Sequence, residues 1–341
     1  MLKATDSNLS DWRNRALELE AEIKKAIIGQ DYPIRMLAIA VFARGHALLE
    51  GDVGVGKTAL LRALARVLGG EYERIEGTID LMPNDLIYHT YINEHGRPAV
   101  DPGPLLKYEE NLATFFFNEV NRARPQVHSL LLRVMAERSV TAFNREYRFP
   151  HLQVFADRNR VEKEETFELP AAARDRFLME LNILMPQEDE LQRQLMFDTR
   201  FFDVDQLIGS LKGGILPFQE LNNVSALIQQ SIQTTPTIER YALELCSATR
   251  IPENFGVSID SVDMAKFILS GVSPRGMGLL MRAAKVAAWM NDRESLVPED
   301  IQAVLYETIA HRIFFHPVYE LHRTEMVANL MQQIINKVAS P

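Results

Sequence analysis

One run of the chain, GDVGVGKT at residues 51–58, constrains its fold more than any other feature. A short apolar segment, HALLE, precedes it, and an amphipathic helical pattern, ALLRALARVL, follows it. Glycines in such a turn let successive backbone amides point inward, and the following helix directs its N-terminus at the same place. The run fits G-x-x-x-x-G-K-[ST] at every fixed position and therefore predicts a phosphate-binding loop between a strand and a helix.

The residue types of this loop fit nucleotide binding. Lys57 is expected to reach the outer phosphates, and the hydroxyl of Thr58 is expected to bind Mg²⁺. An unrelated glycine turn is the alternative, and the flanking strand and helix argue against it. The residues expected to contact ATP in this loop are Gly51, Asp52, Val53, Gly54, Val55, Gly56, Lys57, Thr58 and Ala59.

A second candidate element is the segment LATFFFNE at residues 112–119. Its β-prone apolar run places Asn118 and Glu119 at the carboxyl end of a buried strand, where α/β sheets build their sites. Glu119 is expected to orient and deprotonate the attacking water. A nucleotide-hydrolysing enzyme would be expected to have Asp-Glu here, so Asn118 raises the question of whether the site still hydrolyses.

Other segments add polar groups to the predicted site. LQVFADRN ends a strand with Asn159, which can hold the same water or the γ-phosphate. ELPAAARDRF places Arg174 and Arg176 before the next strand, where an arginine can reach the γ-phosphate of a neighbouring subunit. An ordinary surface ion pair is the alternative, and it is the preferred interpretation for Arg174 but not for Arg176. Arg275 begins a helix in the second half of the chain, from which it could bridge to the nucleotide.

The order of predicted elements divides the chain into two domains. At 341 residues it is large for one domain. Strands alternate with helices up to Pro186, which predicts an α/β core with a mainly parallel sheet over residues 1–186. Helix-like segments separated by Gly, Pro and Asn follow, and they predict a helical domain over residues 187–341.

Composition excludes several function classes. The net charge of −9 argues against a nucleic-acid partner. The apolar stretches are too short for a membrane span. The single cysteine, Cys246, allows no intrachain disulfide, which favours a reducing compartment. We therefore expect a soluble, cytoplasmic protein.

These elements, in this order, resemble the AAA+ ATPases and specifically the MoxR family. The likeness extends from AIIGQD near residue 26 to AHRI near residue 310. RIEGTIDLMPNDL resembles the family segment R-I-Q-x-T-x-D-L-x-P-S-D, and FFFNEVNRARPQVHSLLLRVMAERSVT is similar to D-E-I-N-R-A-P-P-K-x-Q-x-A-L-L-E-x-M-x-E-x-x-V-T. The resemblance implies an AAA+ P-loop core, an insert over about residues 80–103, a hairpin over about residues 138–150 and an all-helical C-terminal lid.

The resemblance also implies roles for particular residues. Ile28, Gly29 and Gln30 of IIGQ are expected near the adenine base. Asn121 and Arg122 are expected at a subunit junction. Arg176 matches the arginine finger of the family, and Arg275 matches the sensor arginine of its S-P-R segment.

In function, the resemblance implies a homo-hexameric ring that binds ATP with Mg²⁺ between subunits and acts as a chaperone-like remodelling enzyme. Such rings often work with a protein that carries a von Willebrand factor A domain. Clients of the family include metalloenzymes, with metal or cofactor insertion into methanol dehydrogenase as one case, and Rubisco; this sequence names no client. Two alternatives remain: an ATP-binding assembly scaffold with little hydrolysis, and a nucleic-acid motor, which the charge disfavours.

The departures from the family pattern concern the site itself. Asn118 stands where the family has Asp, Asp157 where it has Thr, and Arg160 where it has Pro. Side chains alternate along a strand, so Asp157 shares a face with Asn159. We therefore expect Asp157 to replace the lost carboxylate and to bind Mg²⁺ with Thr58 and Asn118. The equally weighted alternative is an ion pair between Asp157 and Arg158, Arg160 or an arginine of a neighbouring subunit.

Two further departures are smaller. Val53 stands where the phosphate loop of the family commonly has Pro, and residues 80–103 match the family poorly. A metal site at His89, His95 and Asp101 is set aside because their spacing fits no known ligand pattern. We expect a working ATPase, and Asn118 leaves open whether it is a slow one.

Overall fold

The computed structural model describes residues 6–159, 166–260 and 262–341. The chain divides into two compact units. One, called here the sheet unit, comprises Asn14–Arg176 and Leu181–Asn223; the other, the helical unit, comprises Met1–Arg13, Phe177–Glu180 and Val224–Pro341. Residues 187–223, which the sequence places in the lid domain, belong to the sheet unit by their contacts. The domain limits 1–186 and 187–341 stay a prediction.

Strands and helices alternate through the first half of the chain, as the hydrophobic pattern indicates. The strands are β1 (His46–Gly51), β2 (Glu71–Glu76), β3 (Tyr88–Ile92), β4 (Pro98–Pro102), β5 (Leu112–Asn118), β6 (Ser139–Ala142), β7 (Arg145–Arg148), β8 (Gln153–Asn159), β9 (Phe177–Asn182), β10 (Ile268–Ser270) and β11 (Phe314–Phe315). The helices are α1 (Asp6–Lys24), α2 (Asp31–Phe42), α3 (Lys57–Leu68), α4 (Pro83–Ile87), α5 (Pro125–Glu137), α6 (Ala171–Arg174), α7 (Asp189–Phe197), α8 (Val204–Gly209), α9 (Leu221–Ser231), α10 (Pro236–Ala248), α11 (Met264–Phe267), α12 (Pro274–Met290), α13 (Pro298–Ile309), α14 (Pro317–Glu320) and α15 (Arg323–Lys337).

The main sheet is parallel and has the strand order β2-β5-β8-β1-β9. Every residue of β5 is buried, and Phe115, Phe116 and Phe117 have no exposed surface. A strand covered on both faces reads as a continuous apolar run, which is why its sequence predicts it correctly. Because β5 lies beside β8, Asn118 and Asn159 end neighbouring strands.

Burial of an apolar stripe explains α3, the helix that follows the glycine-rich loop. Leu60, Leu61, Leu64 and Leu68 recur at helical spacing and are buried. Gly56 precedes the helix in a left-handed conformation, and Gly69 ends it. The first turn of α3 therefore begins directly at the loop.

Two small antiparallel hairpins extend from the sheet unit. β3 pairs with β4 inside the predicted insert over residues 80–103, and β6 pairs with β7 inside the predicted hairpin over residues 138–150. In the first hairpin, His89 lies opposite Asp101.

The helical unit has a core of helices to which α12 and α13 contribute buried faces. Small side chains on α12, among them Ala283, Ala284 and Ala287, are buried. Contrary to the all-helical expectation, β10 and β11 form a short antiparallel pair, supported by the stacked rings of Phe267 and Phe315. Runs of two or three residues are too short to show strand periodicity, so the sequence does not predict them. Across the described residues, the helices are too short or too polar to cross a membrane.

Candidate nucleotide-binding site

A cavity of about 340 Å³ lies where β1, β5 and β8 end at their carboxyl termini. The glycine-rich loop and the first turn of α3 form one side of it, and the strand ends form the other. It therefore brings together most of the residues predicted from separate segments. The lining residues are Val53, Gly54, Gly56, Lys57, Thr58, Ala59, Arg62, Asn118, Glu119, Asp157, Asn159 and Val204.

The loop glycines leave the cavity open. Gly54 and Gly56 adopt φ values of 81° and 91°, a region that side-chain-bearing residues rarely occupy. A Cβ atom at either position would have no heavy atom within 4 Å apart from the neighbouring residues in the chain, so the space above the loop is open. A strand-to-helix turn with inward-facing amides and free space is what a phosphate group requires.

Lys57 is the buried cation among the lining residues of this cavity and is only 6% exposed. Its Nζ donates hydrogen bonds to the carbonyl oxygens of Gly51 and Asp52, at 2.9 and 2.8 Å, and to Oδ1 of Asn159 at 2.9 Å. A buried ammonium group needs such partners, because desolvation disfavours its charge. The loop carbonyls and Asn159 therefore hold the Lys57 charge in place.

Glu119 lies at the centre of a hydrogen-bond network. Its Oε1 accepts from Nδ2 of Asn159 at 3.0 Å, and its Oε2 pairs with Nη1 of Arg122 at 3.0 Å. Its backbone N–H donates to Oδ1 of Asp157 at 2.5 Å. The left-handed conformation of Glu119, with φ of 50°, turns the chain from β5 into the short helix Val120–Arg122. Arg122 thus contacts Glu119 of its own chain, and its predicted place at a subunit junction stays a prediction.

Thr58 and Asn118 face each other across the cavity. The hydroxyl of Thr58 donates to Oδ1 of Asn118 at 3.3 Å, and Nδ2 of Asn118 donates to Oε1 of Glu76 at 2.5 Å. No local sequence pattern singles out Glu76. The signal that could have found it is the last position of β2, which the sheet register pairs with Asn118.

Asp157 is 1% exposed and points into the cavity beside Asn159, as strand alternation predicts. Burial raises the pKa of its carboxyl to about 6, against the lowering effects of the Glu119 N–H and the Lys57 charge. Arg158, which was one candidate partner for Asp157, forms an ion pair of 2.6 Å with Glu50. Arg160, another candidate, lies outside the described residues.

The side-chain oxygen atoms of Thr58, Asn118 and Asp157 suit a hard divalent cation. Thr58, Asn118 and Asp157 offer hydroxyl, amide and carboxylate oxygens, which are the ligand types that Mg²⁺ prefers. Across residues 6–159, 166–260 and 262–341, no three His, Cys, Asp or Glu side chains cluster as a metal site of their own. The donor set at this cavity therefore fits a cation that shares its coordination with a phosphate ligand.

A second cavity of about 330 Å³ continues from the loop and is lined mainly by apolar side chains. Ile28 and Gln30 of the predicted adenine-side segment line it, and Gly29 between them has a φ of 69°. Nε2 of Gln30 donates to the carbonyl oxygen of Leu184 at 2.6 Å, which fixes this segment against the end of β9. An apolar slot beside a phosphate loop suits a planar base. Its lining residues are Ala26, Ile27, Ile28, Gln30, Val53, Gly54, Val55, Gly56, Ala59, Met185, Pro186, Leu195, Phe201, Val204, Leu207 and Ile208.

The predicted arginines lie at the positions that their segments indicate. Arg174 ends α6, and Arg176 follows it with Nη1 donating to the carbonyl oxygen of Ala172 at 3.1 Å. Arg275 lies in the helical unit, in the first turn of α12, and is exposed. Their predicted roles toward a phosphate stay predictions.

Comparison with known proteins decides which class of phosphate-loop protein this is. Residues 46–179 match the family described as "ATPase family associated with various cellular activities (AAA)", and residues 264–334 match the AAA lid domain. "Protein MoxR" of Methylorubrum extorquens is 56% identical over 340 residues, covering 100% of this chain and 99% of its own. The chain belongs to the MoxR family of AAA ATPases. The predicted family and the predicted core with a C-terminal helical lid are therefore confirmed.

Other relatives extend the family assignment. "Protein MoxR" of Paracoccus denitrificans is 53% identical and covers 98% of this chain and 99% of its own. "Chaperone MoxR1" of Mycobacterium tuberculosis is 32% identical, with 94% and 81% covered. A crystal structure described as that of a candidate ATPase from Cytophaga hutchinsonii superimposes with a TM-score of 0.83 at 31% identity, covering 99% of this chain and 98% of the other. Membership of the AAA ATPases implies that the chain binds ATP and hydrolyses it.

Proposed function

We propose that this MoxR-family ATPase works as a homo-hexameric ring that uses ATP and Mg²⁺ to remodel a client protein complex. The observation that supports ATP turnover is the position of Asn159. Its Oδ1 accepts from Lys57 and its Nδ2 donates to Glu119, so one amide joins the phosphate cradle to the expected general base. Hydrolysis by water requires the general base to be held at a fixed position relative to the phosphates.

Each residue of the site has a separate role in the proposed reaction. Lys57 and the loop amides bind the phosphates, and Asn159 orients Glu119. Glu119 accepts the proton of the attacking water, for which its Oε2 must leave Arg122. When bound, Mg²⁺ neutralises charge on the phosphate oxygens. Arg176 of one subunit stabilises the charge that develops in the site of its neighbour, with Arg174 as the second candidate.

Asp157 supplies the carboxylate that Asn118 lacks. It lies in the cavity with Asn118, and burial disfavours its charged form, which raises its pKa to about 6. A divalent cation offsets this cost of burial, because it is the largest local charge in a site of this kind. Thr58, Asn118 and Asp157 would then hold Mg²⁺, directly or through a bound water.

A scaffold that binds ATP and hydrolyses it poorly is the second candidate function. Two observations favour it: the neutral amide of Asn118, and the contact of Glu119 Oε2 with Arg122. Steady-state phosphate release with and without DNA separates the alternatives, with Glu119→Gln as the hydrolysis-deficient control. Turnover that Mg²⁺ supports and DNA leaves unchanged is expected. No release above the Glu119→Gln level, with ATP binding and assembly retained, would establish the scaffold instead.

For the client, we propose a metalloenzyme complex such as methanol dehydrogenase, with a von Willebrand factor A domain protein as partner. The proposal is supported by the high identity to proteins named MoxR over their whole length. Co-purification of the untagged protein from its own cells, together with the neighbouring genes, tests it. Cells that lack this protein and still make fully metal-loaded methanol dehydrogenase would contradict the proposal.

A further inference from the structure

Glu76 has no role in the proposed function, yet it contacts Asn118, which stands where the family has Asp. It ends β2 and is paired in register with Asn118 of β5. Its Oε1 accepts from Nδ2 of Asn118 at 2.5 Å, and its Oε2 pairs with Nη2 of Arg74 at 2.8 Å. Both carboxylate oxygens of Glu76 therefore have defined partners, and one of these is the amide that replaces a carboxylate.

The contact decides which end of the Asn118 amide faces the cavity. An amide offers an acceptor at one end and a donor at the other, and their shapes are nearly the same. The hydroxyl of Thr58 can donate or accept, so Thr58 alone does not select an end. An ionised carboxylate only accepts, so Glu76 takes Nδ2 and leaves Oδ1 facing Thr58, at 3.3 Å.

The backbone holds the end of β2 close enough for this contact. The N–H of Gly77 donates to the carbonyl oxygen of Asn118 at 2.8 Å. A Cβ atom on Gly77 would lie 2.1 Å from the carbonyl oxygen of Glu119, closer than side chains ever approach. Only glycine fits there, and this close approach brings Glu76 to the amide of Asn118.

We propose that Glu76 is a positioning residue of this nucleotide site. It orients the amide of Asn118 so that Oδ1 faces Thr58 and the divalent cation, and it adds a negative charge beside that amide. The inference rests on the proposed ATP and Mg²⁺ function. In this chain the end of β2 reads R-I-E and the end of β5 reads N-E, so a carboxylate and an amide stand at paired positions.

The proposal predicts that the two positions depend on each other. Asn118→Asp alone places two carboxylates side by side, and their repulsion is offset only when a divalent cation is bound. Glu76→Gln alone leaves an amide at each of the two positions. It removes the negative charge of Glu76 and the carboxylate that selects Nδ2 of Asn118. The double variant exchanges the two groups and restores one carboxylate and one amide.

The experiment measures the affinity for a non-hydrolysable ATP analogue in Mg²⁺ and in EDTA, by calorimetry, for the wild type and the three variants. The readout is the affinity in Mg²⁺ divided by the affinity in EDTA, a ratio that a merely structural role of Glu76 would not change. Glu76→Gln should lower the ratio by at least about fivefold, Asn118→Asp should raise it because Mg²⁺ offsets the repulsion between two carboxylates, and the double variant should return to within about twofold of the wild type. Glu71→Gln, an exposed glutamate at the start of the same strand, should match the wild type.

Several outcomes would overturn the inference. A Glu76→Gln protein with the wild-type ratio would do so, and so would a double variant whose ratio matches that of either single variant. If Glu76→Gln also lowers the affinity in EDTA, recovery of the ratio in the double variant still decides, because general damage to the site is not repaired by a second change. A wild type with no Mg²⁺-dependent binding would instead refute the proposed function, and the inference with it.

Discussion

Asp157→Asn is expected to stabilise the protein while it impairs the site. The Asp157 carboxyl is 1% exposed, and burial raises its pKa from an ordinary value of 3.8 to about 6. A difference of roughly two pKa units corresponds to about 3 kcal/mol of differential interaction between the protonated and ionised forms. An asparagine resembles the protonated form, and its Oδ1 can still accept the Glu119 N–H.

The stabilisation by Asp157→Asn depends on pH, and its direction follows from the raised pKa of Asp157. A carboxyl whose pKa is higher in the folded protein binds its proton more tightly there, so the wild type loses stability as pH rises from about 4 to about 6. The advantage of Asp157→Asn should therefore be near zero at the lower end of this window. It should be complete above pH 7, where the wild-type carboxylate is ionised and buried.

The assay is thermal unfolding without nucleotide or Mg²⁺ at pH 4.5, 6 and 8. About 3 kcal/mol corresponds to a Tm increase of roughly 6 °C or more for a unit of this size. Asp101→Asn, at an exposed aspartate of β4, is the matched control and should leave Tm unchanged. A Tm difference for Asp157→Asn that is absent at pH 8, or the same at every pH, would refute the reasoning.

The same variant tests the proposed metal role separately. Loss of the carboxylate should lower Mg²⁺-dependent turnover by about tenfold or more. Adding Asn118→Asp should bring much of that turnover back, and it should do so best when Glu76→Gln is also present. An Asp157→Asn protein that is more stable and fully active would confirm the burial argument and remove Asp157 from the metal site.

The remaining predictions concern the other charged groups. Lys57→Ala should weaken ATP binding at least a few-fold and abolish turnover; unchanged affinity by calorimetry would contradict the loop assignment. Arg176→Ala should keep ATP binding and stop hydrolysis, and mixing it with Glu119→Gln subunits should restore some phosphate release; confirmed mixed rings without release would remove its role in trans. Arg122→Ala should free Glu119 and raise basal turnover by up to about fivefold without changing Tm, because partly exposed ion pairs contribute at most about 1 kcal/mol; a lower rate would show that Arg122 supports the reaction.

The sequence predicts the parts of the site that local pattern determines. The phosphate loop, the buried strand before Asn118 and the face shared by Asp157 and Asn159 follow from glycine placement and periodicity. Glu76 does not follow, because its contact depends on the register between two strands whose ends are 42 positions apart. The pairing of Arg122 with Glu119 depends on a left-handed turn at Glu119, which side-chain-bearing residues rarely adopt and sequence patterns do not report.

The position of Asn159 limits how this site can evolve. The side chain must accept from an ammonium group at one end and donate to a carboxylate at the other, in a site where Asn159 itself is 8% exposed. Aspartate would keep the attraction to Lys57 but repel Glu119, and threonine has one polar atom for two partners. Glutamine has both groups on a side chain one methylene longer, so from the same backbone position its amide would lie at a different distance from the two partners. Substitution at residue 159 is therefore restricted by two hydrogen bonds of opposite direction at once.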